Sequence, residues 1–207
     1  FRLNAAPSTI VIGDSVNLTG PTILGARYGV LLNNNTGAVD LTMHGGWVQT
    51  RVSAVTGSSA GYNEAVEATA STAPVTMKFY GGLITAGVDV NPATGAVNSV
   101  LTIRGDAIKA GSGSNIILGT GNPADPDARM QVIASRYCLS LENALPGISS
   151  TSVLIQKGVT LKNPSGGSLI TGSVNETVSV RDVVTITGGA ITATGTPSIN
   201  LAVGDDE

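Results

Sequence analysis

Cysteine is almost missing from this chain of 207 residues: Cys138 stands alone. A single thiol rules out an internal disulfide framework and a cysteine-built metal cage. Aromatic residues make up 3 % of the sequence and charged residues 12 %, and His44 is the only histidine. So few aromatics argue against a broad sugar-stacking groove. Any Ser-His-Asp triad would have to run through His44, which reads as an ordinary surface residue, and Gly57-Ser-Ser-Ala-Gly61 reads as a loop that interrupts the coil. The formal net charge of -3 leaves no basic footprint, and no nucleic-acid partner is expected. No apolar run is long enough to span a bilayer, so no membrane insertion is expected. Nor does the N-terminus have a signal peptide's basic start and apolar run. The chain opens with Phe1, which suggests a processed product or a piece of a longer protein.

What the chain does have is glycine (27 residues) and a hydrophobic fraction of 42 % dominated by Val, Ile, Leu and Ala. That composition suits short strands joined by tight turns rather than helices, and it argues against disorder. A Gly-centred unit recurs along it. Leu41-Thr-Met-His-Gly-Gly-Trp-Val-Gln-Thr50 is repeated as Val75-Thr-Met-Lys-Phe-Tyr-Gly-Gly-Leu-Ile-Thr-Ala86, Leu101-Thr-Ile-Arg-Gly-Asp-Ala-Ile-Lys-Ala110 and Val184-Thr-Ile-Thr-Gly-Gly-Ala-Ile-Thr-Ala193. Looser copies begin at Val11 and Val153. Each reads as an alternating strand, a bend, and a second alternating strand. Repetition at such a period signals a solenoid.

Aligning the last apolar residue of each first strand gives Ile12, Met43, Met77, Ile103, Ile155 and Ile186, with spacings of 31, 34, 26, 52 and 31. The long gap holds a further strand-like run, Met130-Gln-Val-Ile-Ala134, so six or seven coils fit. A second column follows Tyr28, Tyr62 and Tyr137, the first and last of them preceded by Arg27 and Arg136. Three strands per coil are expected, stacked in parallel on the next coil about 4.8 Å away. Alternation points Tyr28, Val30 and Leu32 inward, with Leu139 and Leu141, and points Gly29, Leu31, Cys138, Ser140 and Glu142 outward. Glu64 breaks the pattern, which implies either a bulge or a place near an opening. The bends are assigned to Gly45, Gly46, Gly81, Gly82, Gly105, Asp106, Gly188 and Gly189, because glycine reaches positive φ without penalty and Asp tolerates it. Asp14 is read the same way.

The whole pattern resembles the right-handed parallel β-helix (pectin-lyase-like) superfamily, in particular phage tailspike and tail-fibre β-helices and autotransporter passenger domains. The resemblance spans residues 8 to 203 and rests on the repeat. It implies an all-β, right-handed parallel β-helix (β-solenoid) forming a single domain over residues 1–207, within a larger chain or assembly. It also implies an extracellular or virion-surface location. With no capping helix in sight at either end, self-association is expected, a homotrimer being one form, along with a host surface glycan or protein receptor as partner.

Catalytic chemistry is hard to find. Glycan-cleaving enzymes need paired carboxylates about 5.5 Å apart for retention or 6.5–9.5 Å for inversion. Glu67 and Glu142 share an outward column but sit two or three coils apart, and they are the only weak candidates. Asp125 and Asp127, with Asn122, offer a weak Ca²⁺ site without the EF-hand pattern. No cofactor is expected. Trp47, if exposed, is the best single ligand contact, although packing in or against the coil is the better-supported reading. Arg104-Gly105-Asp106 spells an adhesion tripeptide but is expected to form a corner of the coil. The sequence therefore reads as a non-enzymatic structural or adhesive solenoid of a surface assembly, a phage tail fibre or tailspike. A bacterial adhesin passenger and a polysaccharide lyase or glycoside hydrolase are the alternatives.

Overall fold

The computed structural model describes residues 1–3, 7–16, 19–33, 37–51, 63–69, 72–119, 130–141, 151–156 and 158–172, and the backbone of three further strands as far as residue 200. All regular elements among them are β-strands. The chain winds into a right-handed parallel β-helix in which each coil adds one strand to each of three sheets. The first coil is β1 (Arg2–Leu3), β2 (Ser8–Ile12) and β3 (Thr22–Gly25). The second is β4 (Tyr28–Leu32), β5 (Val39–Met43) and β6 (Trp47–Thr50). The third is β7 (Asn63–Ala68), β8 (Val75–Phe79) and β9 (Gly82–Ala86), followed by a hairpin of β10 (Val88–Val90) and β11 (Val97–Val100). The fourth is β12 (Gly105–Ala110), β13 (Ser114–Leu118) and β14 (Met130–Ala134). The fifth is β15 (Leu139–Leu141), β16 (Ser152–Ile155) and β17 (Val159–Lys162). The sixth is β18 (Ile170–Thr171), β19 (Thr177–Val180) and β20 (Thr185–Thr187), and β21 (Ser198–Asn200) begins a seventh layer.

The first sheet runs β1-β4-β7-β12-β15-β18, the second β2-β5-β8-β13-β16-β19-β21, and the third β3-β6-β9-β14-β17-β20. Inward residues stack like on like. In the second sheet Ile12, Met43, Phe79, Leu118 and Ile155 form one continuous column. This corrects the register expected from sequence. Met77 pairs with Leu41 instead of Met43, because the copy that contains it is two residues longer before its glycine pair. Ile103 lies between β11 and β12 and belongs to no strand, and Ile186 pairs with Leu161 in the third sheet. Counting back from the glycine pair, rather than matching methionines, recovers Phe79. Buried Val, Ile, Leu, Met and Phe side chains from all three sheets merge into one core.

Alternation fails at the same place in successive strands of the first sheet. Ala65 and Val66, Ala107 and Ile108, and Cys138 and Leu139 are consecutive pairs that both lie in the core. A local twist that turns two neighbours inward, repeated in successive coils with the pairing register unbroken, leaves the residues on either side, such as Glu64 and Glu67, on the outer face together. Cys138 is therefore internal, not outward as alternation predicts. The Tyr column also shifts: Tyr28 pairs with Glu64, and Glu64 pairs with Asp106. Tyr62 lies outside the described residues.

Corners between the second and third sheets pass through Gly46 at φ 97° and Gly82 at φ 99°. A Cβ on Gly82 would also come within 2.6 Å of the Gly46 carbonyl oxygen and 2.7 Å of Met43 Cε. Gly105 and Asp106 open strand β12, and Gly105 does so without the positive φ of Gly46 and Gly82. Gly188 and Gly189 lie outside the described residues. At the corner between the third and first sheets, buried Asn163 takes over the role of a turn backbone. Its Nδ2 donates to the carbonyls of Arg136 (2.7 Å) and Ser168 (3.2 Å), and its Oδ1 accepts from the Ser165 N–H (2.9 Å).

Two substitutions test this packing by denaturant unfolding. Phe79→Ala, at a fully buried column position, is expected to cost about 3–5 kcal/mol. Gly82→Ala is expected to cost about 1–3 kcal/mol through strained backbone. Exposed Asp40→Ala should stay within about 0.5 kcal/mol. Equal losses at all three positions would contradict the register.

Candidate functional site

The hairpin turns a flat sheet face into a concave one. Alternating Val88-Asp-Val90 and Val97-Asn-Ser-Val100 form its arms, joined by a turn in which the Asn91 side chain accepts the Ala93 N–H (2.9 Å) and the Asn91 carbonyl accepts the Gly95 N–H (2.8 Å). Its apolar side folds back on the outer face of the third sheet, where Val88, Val90, Leu83 and Ile133 form a second, smaller core edged by Trp47 and Val97. Arg51 and Asp89 pair at 3.0 Å beside it, too exposed to contribute more than about 1 kcal/mol.

Between the hairpin turn and the glycine corners lies an open groove of about 780 Å³. The outward column Thr22–Trp47–Leu83–Gln131 runs along its floor, one residue per coil. Pro92, Ala93 and Thr94 form one wall, and Gly46, Gly81 and Gly82 form the opposite one. Half-buried Trp47 is fixed in place, since its Nε1 donates to the Thr85 hydroxyl at 2.9 Å across the diagonal of the sheet. Gln131 meets the hairpin turn at Gly95, where any Cβ would collide with its amide oxygen.

A second cluster lies on the outer face of the first sheet. Glu64, Glu67 and Asp106 are 6 %, 6 % and 1 % exposed. Lys109 Nζ sits 3.0 Å from Glu67 and 4.0 Å from Glu64, and Arg136 sits 3.4 Å from Asp106. Three carboxylates thus share two cations at contact distance, and one oxygen of each (Glu64 Oε2, Glu67 Oε2, Asp106 Oδ1) is buried without a hydrogen-bond partner. Burial, and next the charge of Glu67, push Glu64 up to about 7 from its ordinary 4.5. Burial pushes Asp106 up to about 6, even with Arg136 pulling the other way. The phenol of Tyr28 is raised too, by burial first and by Glu67 second. The Arg-Tyr pairs seen in sequence are stacked contacts, with Arg27 5.0 Å from the Tyr28 ring centre and Arg136 4.8 Å from that of Tyr137.

The remaining expected residues separate cleanly. Glu67 faces Lys109, not a partner acid from a distant coil. Glu142, Asp125 and Asp127 lie outside the described residues. Asp106 of the Arg-Gly-Asp tripeptide is buried against Arg136, so the tripeptide is not presented as an adhesive loop. His44 is half-buried and stacks at 5.5 Å on Tyr80, its counterpart one coil on. Cys138 Sγ lies 3.3 Å from the Val132 carbonyl oxygen, and burial pushes the thiol up to about 12, which leaves it a poor nucleophile. Asp14 caps its own turn by accepting the Val16 N–H at 2.7 Å. Among the described residues no group of three His, Cys, Asp or Glu is arranged to hold a metal ion. Nor is any helix there long and apolar enough to cross a membrane.

Sequence reasoning missed Gln131 and the hairpin wall. The signal was present: Asn91-Pro-Ala-Thr-Gly95 between two Val-rich alternating runs is a hairpin signature. Lys109 and Arg136 were missed because their significance depends on which coil each pairs with. Comparison with protein-family models, curated proteins and solved structures finds no match.

The charged cluster gives a pH dependence of known sign. A carboxyl group whose folded pKa is raised binds its proton more tightly in the folded state, so stability falls as pH rises through the window. That window is pH 4.5 to 7 for Glu64 and 3.8 to 6 for Asp106. Melting temperature is therefore expected to decline from pH 5 to pH 7.5. Glu64→Gln should flatten this slope and raise stability above pH 7 by about 1 kcal/mol, because it removes the surplus buried charge. A slope unchanged in Glu64→Gln would rule out Glu64 as its source.

Proposed function

We propose that the chain is a non-enzymatic structural and adhesive β-solenoid of a surface assembly, a phage tail fibre or tailspike segment that acts in host attachment. The observation that carries this reading is the hairpin-walled groove on an otherwise regular coil. Repeated parallel stacking gives a rigid rod, and a pre-formed concave surface on its side is where such a rod makes contact. The extracellular or virion-surface setting and a homotrimeric assembly belong to the same proposal. A bacterial adhesin passenger would use the groove in the same way.

Geometry weighs against the lyase or hydrolase alternative at the carboxylate cluster of the first sheet. Glu64, Glu67 and Asp106 are almost wholly covered and are engaged with Lys109 and Arg136. A general acid must reach the leaving-group oxygen within about 2.6–3.2 Å. These groups serve the coil, and recognition falls to the groove.

Binding of fluorescently labelled protein to a panel of intact bacterial cells tests the reading. Ala93→Arg places a long charged side chain at the exposed groove wall. It is expected to weaken cell binding at least tenfold with the melting temperature unchanged, and sedimentation should give the mass of a trimer. Full cell binding by Ala93→Arg would move the contact elsewhere, and release of reducing ends from surface polysaccharide would return the enzyme reading.

A further inference from the structure

The groove's chemistry narrows what it can hold, and this step rests on the groove being the contact surface. We infer that it is a binding site for a neutral oligosaccharide, with a sugar ring stacked on Trp47 and its hydroxyls met by Gln131, Thr22 and Thr94.

Three observations carry the inference. The first is the fixed indole. Because Trp47 gives its N–H to Thr85, the ring is held at one angle and has no hydrogen bond left to offer. What remains is an aromatic surface with a negative face, which attracts the weakly positive C–H groups of a pyranose ring. Little rotamer freedom is left to lose on binding, so the platform is pre-organised.

The second is the set of polar groups around that surface. Gln131 carries both donors and an acceptor at the groove floor, and no described side chain or backbone group hydrogen-bonds to its amide. The Thr94 hydroxyl already accepts the Ala96 N–H at 3.2 Å, which leaves its own proton free to donate. Thr22 lies on the far side of Trp47 in the same column. Donors and acceptors of both kinds thus flank the apolar ring, as hydroxyl-rich ligands require.

The third is charge. Among the described residues, none that lines the groove is charged. An acidic sugar would lose hydration there with no cation to pair with, a cost that a neutral sugar avoids. The floor from Thr22 to Gln131 crosses three coil-to-coil steps, about 14 Å at 4.8 Å per step. That length fits a short oligosaccharide better than a single ring. The volume also lies within the roughly 300–1,000 Å³ usual for small-ligand sites.

Trp47 is the only tryptophan, so the protein's own emission reports on the groove. Titration with maltohexaose, chitotetraose and mannotriose is expected to give a saturable change in emission for at least one of them. Oligogalacturonate, which is acidic, should bind at least tenfold more weakly than that sugar. Gln131→Ala should lower the affinity for it about tenfold with the melting temperature unchanged. Trp47→Phe, which keeps a smaller stacking ring, should lose less than Trp47→Ala when both are read by calorimetry. Absence of any saturable change, or tighter binding of oligogalacturonate, would overturn the inference. If cell binding nevertheless remains sensitive to Ala93→Arg, the groove reading survives and a protein surface replaces the sugar. If cell binding is insensitive as well, both readings fall.

Discussion

Everything in this molecule depends on in-register hydrogen bonding between coils. A strand of four or five residues is not stable alone. It persists because the equivalent strand of the next coil, about 4.8 Å away, satisfies its backbone groups. The partner may lie 25 residues away, as Ile23 and Val48 do, or 48 residues away, as Ile84 and Val132 do. Length differences are absorbed in the corners, so the ladder itself never slips. Register therefore decides each residue's neighbours: Phe79 rests on Met43 because two chains pair there, not because of any local preference of phenylalanine.

The same rule governs the charged face. Charges placed in adjacent columns of a parallel sheet must confront whatever the next coil supplies. Glu67 meets Lys109 because their strands pair at that position, and Glu64 is left over because its own column holds Tyr28 and Asp106. Burial then makes the imbalance costly. A surplus carboxylate that would be harmless in water becomes a group that prefers to keep its proton near neutrality. The groove avoids this cost, since none of the described residues that line it is charged.

The fold was legible in the sequence because repetition is a property of the whole chain and survives local irregularity. Three strands per coil, glycine corners at Gly46 and Gly82, and a Val/Ile/Leu core followed from periodicity alone. The exact register was not legible, and the reasons are specific. The copy ending in Gly81-Gly82 has two extra residues before the corner, the copy at Leu101 is displaced by the hairpin, and a twist at Ala65-Val66 that turns both residues inward breaks strict alternation. Trp47 stood out in the sequence, but the groove it lines did not, since the groove exists only where the hairpin folds over coils distant in sequence. Cys138 shows the limit of alternation: where two consecutive residues both turn inward, it lies in the core beside Leu139.

One hydrogen bond at the base of the hairpin has a consequence for the modularity of the chain. Leu101 donates its backbone N–H to the Gly87 carbonyl at 2.9 Å, so the chain leaves the coil and returns to it at almost the same point. The excursion between these two residues is closed at its neck, and the spiral continues as though it were not there. Sequence within the neck can therefore lengthen, shorten or change character without disturbing the turns on either side. Scaffold and hairpin are separable parts, and change in one leaves the hydrogen bonds of the other in place.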